Sequence, residues 1–300
     1  MKKWLIGAGL VLVIAVACVY IFIPSQLEVS ATSLVRCNPQ AVFRQIGKAD
    51  GWAAWWRGGS DAYKFVAGAY PVAEVSIAEG DEAIPSRLHV LSLGNRDSAA
   101  IYWECRLAGG AGPFMRVRQY FTALRIKKGM SGTLNVLRPF VEDEKNTYKM
   151  SVGEASTKDT LLLVTKTFFP QYPGTAEIYQ LLGKLRQYAA RQGASEKGFP
   201  MANVTLVRDS GYQLMTALPI DRVLPGAGDI AFRRMVPAKF LVAEVRGGDR
   251  TVRAALDHLN DYIADHQRTV MAIPFQTLVT DRMKEPDTTR WTTWLYCPVF

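Results

Sequence analysis

Residues 175–192 read TAEIYQLLGKLRQYAARQ, and residues 249–266 read DRTVRAALDHLNDYIADH. Both segments place apolar residues at the i, i+3, i+4, i+7 spacing of a helix with one buried face. These residues are Ile178, Leu181, Leu182, Leu185, Tyr188 and Ala189 in the first copy, and Val252, Ala255, Leu256, Leu259, Tyr262 and Ile263 in the second. Each pair lies 74 residues apart (252 − 178 = 74), as do Pro200 and Pro274 downstream. The internal repeat predicts two similar α/β units packed as a pseudo-symmetric pair, with a ligand-sized cleft where they meet.

The bulk composition is that of a folded chain of about two domains. The chain has 300 residues, of which 49% are hydrophobic and 21% charged. Its net charge of +9 favours anionic surfaces, but the basic residues are scattered, in runs no longer than Lys127-Lys128 or Arg233-Arg234. The sequence contains no helix-turn-helix pattern, zinc-finger spacing or RNP-like aromatic motif, so we predict no nucleic-acid partner.

The N-terminus predicts a membrane anchor. Lys2 and Lys3 precede an uncharged run from Trp4 to Ile23, which as a helix would rise about 30 Å, the thickness of the hydrocarbon core. The run is longer than the apolar part of a cleaved signal peptide and no small-x-small site follows it. With the lysines on one flank, we expect a single-pass protein of the bacterial inner membrane, in contact with lipid through residues 4–23 and otherwise periplasmic.

The four cysteines leave the redox state open. Cys18 falls in the apolar run, Cys297 lies near the C-terminus, and no CxxC pair occurs. Cys37 and Cys105 belong to the same predicted domain. They could form a disulfide in an oxidising compartment or stay as buried free thiols.

The part that follows the apolar run reads as a strand, a short helix, antiparallel strands and a final helix. The strand runs from Leu27 to Cys37, and Asn38-Pro39 opens the short helix from Gln40 to Ile46. The later strand-like runs are Tyr63–Val66, Val72–Glu79, Ser86–Leu93, Ala99–Leu107 and Phe114–Arg125. The final helix is predicted by the spacing of Met130, Leu134, Leu137 and Val141, and is weakened by Gly129, Gly132 and Pro139.

This order resembles the START/polyketide-cyclase (SRPBCC) helix-grip family over roughly residues 27–148. The matching residues are Asn38-Pro39-Gln40-Ala41-Val42-Phe43 and Trp52-Ala53-Ala54-Trp55. The resemblance implies a sheet that wraps the last helix and leaves an apolar tunnel for a lipid or another hydrophobic molecule. Alternatively, the tryptophans are plain core residues, because aromatic side chains bury large areas wherever they lie.

In the second half, each repeat reads strand, helix, strand, strand. The predicted elements are Thr160–Lys166, Thr175–Gln192, Met201–Val207 and Tyr212–Leu218, then Lys239–Arg246, Arg250–His266, Phe275–Thr280 and Trp291–Pro298. Residues 224–228 read as the linker between the copies, and Asp249 is placed to cap the second helix.

The duplicated unit and its C-terminal segment resemble the GyrI-like, or effector-binding, domain. That segment reads Leu278-Val279-Thr280-Asp281, followed by Trp291-Thr292-Thr293-Trp294-Leu295-Tyr296-Cys297-Pro298-Val299. The resemblance implies a small-molecule cleft between the repeats, lined by aromatic residues. Relatives sense amphiphilic drugs, bind gyrase or hydrolyse small electrophiles. Together, the halves resemble bacterial membrane-anchored proteins that join an SRPBCC module to a GyrI-like one.

We therefore predict an α+β fold with three parts. A transmembrane helix occupies residues 1–25, a helix-grip domain residues 26–148, and a duplicated β-α-β-β GyrI-like domain residues 149–300. The repeats of the last domain fall at about 157–222 and 236–300.

One position departs from the GyrI-like pattern. Relatives that grip cations or hydrolyse substrates carry an acid in a Pro-Phe-Glu-x-Tyr motif, whereas this chain reads Pro274-Phe275-Gln276-Thr277-Leu278. Gln276 carries no charge and cannot act as a general base, and Leu278 replaces the aromatic residue. Both changes argue against cation recognition and against hydrolysis.

The predicted ligand-binding residues are Tyr188, Glu244, Tyr262, Phe275, Gln276, Trp294 and Tyr296. Tyr188 and Tyr262 lie on the buried helix stripes and suit a core role equally well. Glu244 occupies a mostly apolar strand. It would either face the cleft and select a cationic ligand or pair with Arg246 or Lys239 at the sheet edge.

The sequence does not favour an enzyme. It contains no H-E-x-x-H, G-x-S-x-G or Walker motif, and we predict no catalytic residue, no cofactor and no metal site. We expect a non-catalytic, membrane-anchored carrier or sensor for an apolar or amphiphilic small molecule. The alternatives are a small-molecule hydrolase or cyclase that uses an acid such as Glu244 in the cleft, and an interaction protein of the bacterial envelope.

Overall fold

Both halves of the chain form an antiparallel sheet accompanied by helices. The structure is a computed structural model that describes residues 2–56, 62–94, 97–108, 110–207 and 211–299. It divides into two compact units, Met1–Thr147 and Tyr148–Phe300. Their sheets have five and eight strands, so the predicted α+β class is confirmed.

The sheet of the first unit has the strand order β1-β5-β4-β3-β2. The elements of this unit are α1 (Lys2–Phe22), β1 (Gln26–Val35), α2 (Pro39–Ile46), α3 (Ala49–Trp55), β2 (Tyr63–Ala69), β3 (Val72–Glu79), β4 (Glu82–Ser92), β5 (Ala99–Ala108), α4 (Pro113–Glu142) and α5 (Glu144–Thr147).

Helix α4 is longer than the sequence pattern predicts. The predicted strand Phe114–Arg125 is wrong, because these residues form the first half of this 30-residue helix. Thr122 and Ile126 are buried and extend the stripe of Met130 at helical spacing, whereas Phe114 is 89% exposed. The β-branched and aromatic composition favours a strand locally, but packing of the stripe overrides that preference.

Tryptophan side chains form much of the core of the first unit. Trp103 is fully buried, and its indole Nε1 donates to Ser86 Oγ at 2.9 Å. Trp52 and Trp55 are also buried, and each indole donates to a backbone carbonyl near the end of α2, at 2.8 and 3.2 Å. These contacts agree with the core interpretation, and the apolar tunnel implied by the SRPBCC resemblance stays a prediction.

The predicted placement as a single-pass protein of the bacterial inner membrane, with the rest periplasmic, is wrong. Among the residues that the structure describes, no helix combines the length and the apolarity that crossing a bilayer requires. The end of α1 instead makes polar contacts with its own unit. Tyr20 Oη donates to the carbonyl of Ala111 at 2.8 Å, and Arg116 donates to the carbonyl of Ile23 at 2.9 Å. The structure gives no support to the predicted anchor or to lipid contact through residues 4–23.

The sheet of the second unit has the order β10-β7-β9-β8-β12-β13-β11-β6. The elements are β6 (Val152–Ser156), β7 (Thr160–Phe169), α6 (Thr175–Arg191), β8 (Met201–Val207), β9 (Gly211–Ile220), β10 (Ala231–Met235), β11 (Lys239–Arg246), α7 (Asp249–Asp265), β12 (Phe275–Leu278) and β13 (Thr292–Pro298), with a short 3-10 helix at Thr288–Arg290. The edge strands β6 and β10 have no counterpart in the predicted order.

The repeat keeps its spacing in the structure. Helices α6 and α7 are each 17 residues long and begin 74 residues apart (249 − 175 = 74). Strands β8 and β12 also begin 74 residues apart (275 − 201 = 74). The cap of α7 differs from the prediction, because Gly248 is the N-cap residue and Asp249 is the first helical residue.

The cysteines of the described residues form no disulfide. Cys37, Cys105 and Cys297 are buried and Cys18 is exposed. The structure therefore favours the second of the two alternatives for Cys37 and Cys105.

Candidate ligand-binding site

The two repeats meet at the centre of the eight-stranded sheet, where β8 pairs with β12. In that pairing Ala202 lies opposite Gln276, its own repeat equivalent (276 − 202 = 74). Between the helix N-termini, Thr175 Oγ1 donates to Asp249 Oδ2 at 3.4 Å, and these two are also equivalents. Equivalent residues that face each other flank the local pseudo-two-fold axis, so Ala202 and Gln276 lie on either side of it.

A cavity of about 290 Å³ lies beside that junction, between β8, β12 and α7. All of its lining side chains are uncharged, and most are apolar. They are Tyr172, Ala202, Asn203, Val204, Thr205, Leu206, Leu256, Leu259, Asn260, Pro274, Phe275, Gln276 and Cys297.

Gln276 is the unusual residue of this lining. It is 7% exposed, and its Oε1 has no hydrogen-bond partner. Four buried side-chain atoms in the described part of the chain share this condition, and of their residues Gln276 alone lines the cavity. A buried acceptor without a partner costs about 1–3 kcal/mol, so Gln276 is held at an energetic cost to the fold.

The two repeats pack the equivalent leucines of their helices differently. In the first repeat, Leu182 is fully buried in a cluster with Ile178, Leu214 and Leu278. In the second repeat its equivalent, Leu256, is half-buried and lines the cavity. The same leucine is therefore core in one copy and a cavity wall in the other.

Arg282 holds the N-terminus of α7, one wall of the cavity, against the sheet. Its side chain is 1% exposed, and Nη1 donates to Asp249 Oδ1 at 2.8 Å. Nη2 donates to Thr293 Oγ1 at 2.9 Å, and the guanidinium lies 4.9 Å from the ring centroid of Trp291. Burial lowers the pKa of Arg282, while the carboxylate of Asp249 opposes that shift. No sequence motif indicated this residue.

A tyrosine and a second arginine meet at the edge of the cavity. The guanidinium carbon of Arg253 lies 3.7 Å from the ring centroid of Tyr172, a lining residue. Burial raises the pKa of the Tyr172 hydroxyl, and the positive charge of Arg253 opposes this. The charged group in contact with the ring of Tyr172 is therefore the positive guanidinium of Arg253.

The thiol of Cys297 contributes an apolar surface to the cavity. The residue is 1% exposed, and burial raises its pKa to about 11. The thiolate is the nucleophilic form of cysteine, so at neutral pH this side chain is a poor nucleophile.

The structure brings two of the seven predicted ligand-binding residues, Phe275 and Gln276, into the lining. Two more lie nearby on β13. The ring of Tyr296 stacks on Phe275 at 5.0 Å between centroids, and Trp294 pairs with Thr277 in the strand register. Neither Tyr296 nor Trp294 lines the cavity, and their ligand-binding role stays a prediction.

The other three predicted residues lie apart from the cavity. Glu244 is exposed and accepts a hydrogen bond from Arg246 Nε at 3.1 Å, as its second interpretation expects. Tyr188 packs against the core beneath α6, and Tyr262 stacks on His266 at 4.0 Å between ring centroids. A role for these residues in binding stays a prediction.

Most of the apolar wall was not predicted from the sequence as part of a site, notably Ala202, Val204, Leu256 and Leu259. The spacing of the repeats could have indicated Ala202. It is the residue 74 positions before Gln276 (276 − 74 = 202), and it pairs with Gln276 across the junction.

A larger depression, about 660 Å³, lies on the sheet of the first unit. Its lining includes the charged residues Glu74, Arg87, Glu104 and Arg106. Glu74 and Arg87 pair with each other at 3.7 Å and are at least half exposed. None of the four unpartnered buried atoms of the described residues lines it, so we take the smaller cavity as the candidate site.

Comparison with known proteins gives similarity at the level of solved structures. No family model and no curated protein matches the chain. The C-terminal domain of EcmrR is similar over 50% of this chain and 98% of its own, with 12% identity and a TM-score of 0.44. EcmrR in its DNA complex is similar over 62% of this chain and 71% of its own, with 11% identity and a TM-score of 0.47. SAV2435 bound to tetraphenylphosphonium is similar over 50% of this chain and 94% of its own, with 15% identity and a TM-score of 0.34.

Proposed function

We propose that the second unit is a GyrI-like ligand-binding module that holds a small, mostly apolar molecule in the cavity beside Gln276, without catalysis. The observation that carries the proposal is an uncharged, mostly apolar cavity beside the junction of the two repeats.

The size of the cavity limits the ligand. Its volume of about 290 Å³ lies at the lower end of the roughly 300–1,000 Å³ typical of small-molecule sites. The apolar wall formed by Val204, Leu256 and Leu259 suits a compact hydrophobic body of one or two rings, whose burial would supply most of the binding free energy.

The chemistry of the lining supports binding without turnover. A general base or an activated nucleophile is needed for hydrolysis, and the lining offers an amide and a protonated thiol at these points, Gln276 and Cys297. Glu244, the acid that the hydrolase or cyclase alternative would use, lies outside the lining and is bonded to Arg246.

Other expected partners stay predictions. The exclusion of nucleic acid and the alternative of a protein-interaction role follow from sequence patterns alone. The same holds for a lipid-binding role of the first unit, which depends on the SRPBCC resemblance.

Native mass spectrometry of the full chain tests the proposal. The wild type should bind one molecule of a small apolar probe such as 2-naphthol, and Leu256→Trp, which fills the cavity, should bind none. Val223→Trp is the matched control, because Val223 is 66% exposed and does not line the cavity. Equal binding by Leu256→Trp and the control would overturn the proposed site.

A further inference from the structure

We propose that the exposed face of helix α4 docks on an anionic lipid surface. The proposal goes beyond the proposed function and does not depend on it, because α4 belongs to the first unit. It also uses other residues than the apolar run at residues 4–23. The partner is a bilayer surface with negative headgroups, which the cations of α4 contact while its apolar side chains enter the outer edge of the hydrocarbon.

The outer face of α4 carries large apolar side chains that the fold leaves uncovered. Phe114 is 89% exposed, Phe121 60% and Leu124 45%. Phe121 follows Phe114 by seven residues, so the two rings lie on one face of the helix. The opposite face, which includes Ile126 and Met130, is buried. Exposed apolar side chains grouped in this way mark a surface that binds a protein or a membrane.

Helix α4 is also strongly basic. Its 30 residues include six basic side chains and one acidic side chain, that of Glu142. The whole chain is far closer to balance, with 36 basic and 27 acidic residues. The excess of positive charge on this helix favours an anionic partner. The six basic residues are Arg116, Arg118, Arg125, Lys127, Lys128 and Arg138.

Half of these cations are free to contact a partner. Arg116, Arg125 and Arg138 have partners within the first unit. The side chains of the other three are exposed, and among the described residues they make no ion pair and no hydrogen bond. Long basic side chains beside apolar ones can bury their methylene stems and keep the charge at the headgroups. The three free cations are Arg118, Lys127 and Lys128.

The pattern favours lipid over two other partners. A second copy that met α4 with its own α4 would bring a face of the same charge and be repelled. Nucleic-acid sites hold the strand in a basic groove with aromatic side chains, whereas here the cations alternate with exposed apolar residues, including the aliphatic Leu124, along one helix. Helices that lie in a bilayer interface combine an apolar stripe with Lys and Arg, as α4 does.

Co-sedimentation of the full chain with two kinds of vesicle tests the proposal. One kind is pure phosphatidylcholine, and the other contains roughly 30% phosphatidylglycerol, whose headgroup is anionic. The wild type should bind the anionic vesicles about tenfold more tightly or better, because each free cation near such a surface contributes roughly fivefold. High salt should reduce this preference.

Two double variants isolate the contribution of α4. Arg118→Gln with Lys128→Gln should weaken binding to the anionic vesicles about 25-fold, since two free charges are lost. Phe114→Ser with Phe121→Ser should weaken it about tenfold, since two rings no longer enter the bilayer. All the substituted side chains are exposed, so the fold should not change. The matched controls, at exposed positions of the second unit, should bind like the wild type: Lys166→Gln with Lys239→Gln, and Val223→Ser with Val236→Ser.

Three results would overturn the proposal. The first is equal binding of the wild type to the two kinds of vesicle, and the second is binding of the α4 variants at the level of their controls. The third comes from fluorescence anisotropy with a single-stranded oligonucleotide. If the wild type binds the oligonucleotide but not the anionic vesicles, the partner of α4 is a nucleic acid. None of these results bears on the cavity of the second unit, so the two proposals fail separately.

Discussion

The repeat provides a matched pair of substitutions that tests whether the cavity exists. Leu182→Phe and Leu256→Phe make the same chemical change at equivalent positions of α6 and α7, 74 residues apart (256 − 182 = 74). Leu182 is 0% exposed in a filled cluster, whereas Leu256 borders a cavity of about 290 Å³. The two changes should therefore have different effects on stability.

The magnitudes follow from the space at each position. At Leu182 the larger ring must displace its neighbours, and overpacking of this kind costs about 1–3 kcal/mol. At Leu256 the ring can enter the cavity and bury roughly 20–40 Å² more apolar surface, a gain of about 0.5–1 kcal/mol. Loss of side-chain freedom offsets about half of that. We expect Leu256→Phe to stay within about 0.5 kcal/mol of the wild type.

The difference in stability between the two variants is measured by urea unfolding of the full chain. Unfolding is monitored by hydrogen exchange in peptides from the second unit. Peptide-level detection is needed because a chain of two units need not unfold in one step. If both variants lose similar stability, and each more than about 1 kcal/mol, then Leu256 is packed as tightly as Leu182. In that case the cavity, and the site built on it, would be refuted.

Three further results are expected. Arg282→Met should lower the free energy of unfolding by about 2–4 kcal/mol because it breaks a buried ion pair. Arg246→Met, which breaks an exposed pair, should lower it by at most about 0.5 kcal/mol. Equal losses in urea unfolding would contradict the role given to Arg282. Cys297 and Cys105, both buried with pKa values raised to about 11, should react slowly with iodoacetamide at pH 8, and saturating 2-naphthol should slow Cys297 alone; slowing of Cys105 would place the probe in the first unit. Trp103→Phe removes a buried indole and its hydrogen bond and should destabilise peptides of the first unit alone, by about 2 kcal/mol; unchanged exchange there would show that this tryptophan is not core.

The sequence predicted the repeated architecture well because its signals are local and occur twice. The apolar stripes beginning at Ile178 and Val252 correspond to α6 and α7, and Pro200 and Pro274 directly precede β8 and β12. The prediction failed where packing opposes local preference, as at Phe114–Arg125, which is helical. The short edge strands β6 and β10 lack a strong hydrophobic alternation, so their pairing depends on the neighbouring strands.

The site was only partly predictable. The Pro-Phe-Gln segment indicated Gln276, but Trp294 and Tyr296, the aromatic residues of β13 predicted with it, do not line the cavity. The alternation of side chains along a strand gives the reason. Gln276 pairs with Leu295, which lies between Trp294 and Tyr296. Successive side chains of a strand point to opposite faces, so the two aromatic side chains point away from the face of Gln276. The contrast between Leu182 and Leu256 could not be read from sequence, since both are leucines of the same stripe.

The central claim is that a small molecule binds between α7 and the β8–β12 junction. The most direct measurement is the set of nuclear Overhauser effects between bound 2-naphthol and the protein, with leucine and valine methyl groups labelled. We predict contacts to Val204, Leu256 and Leu259, and none to Leu182. Contacts to Leu182, or to the first unit alone, would contradict the account.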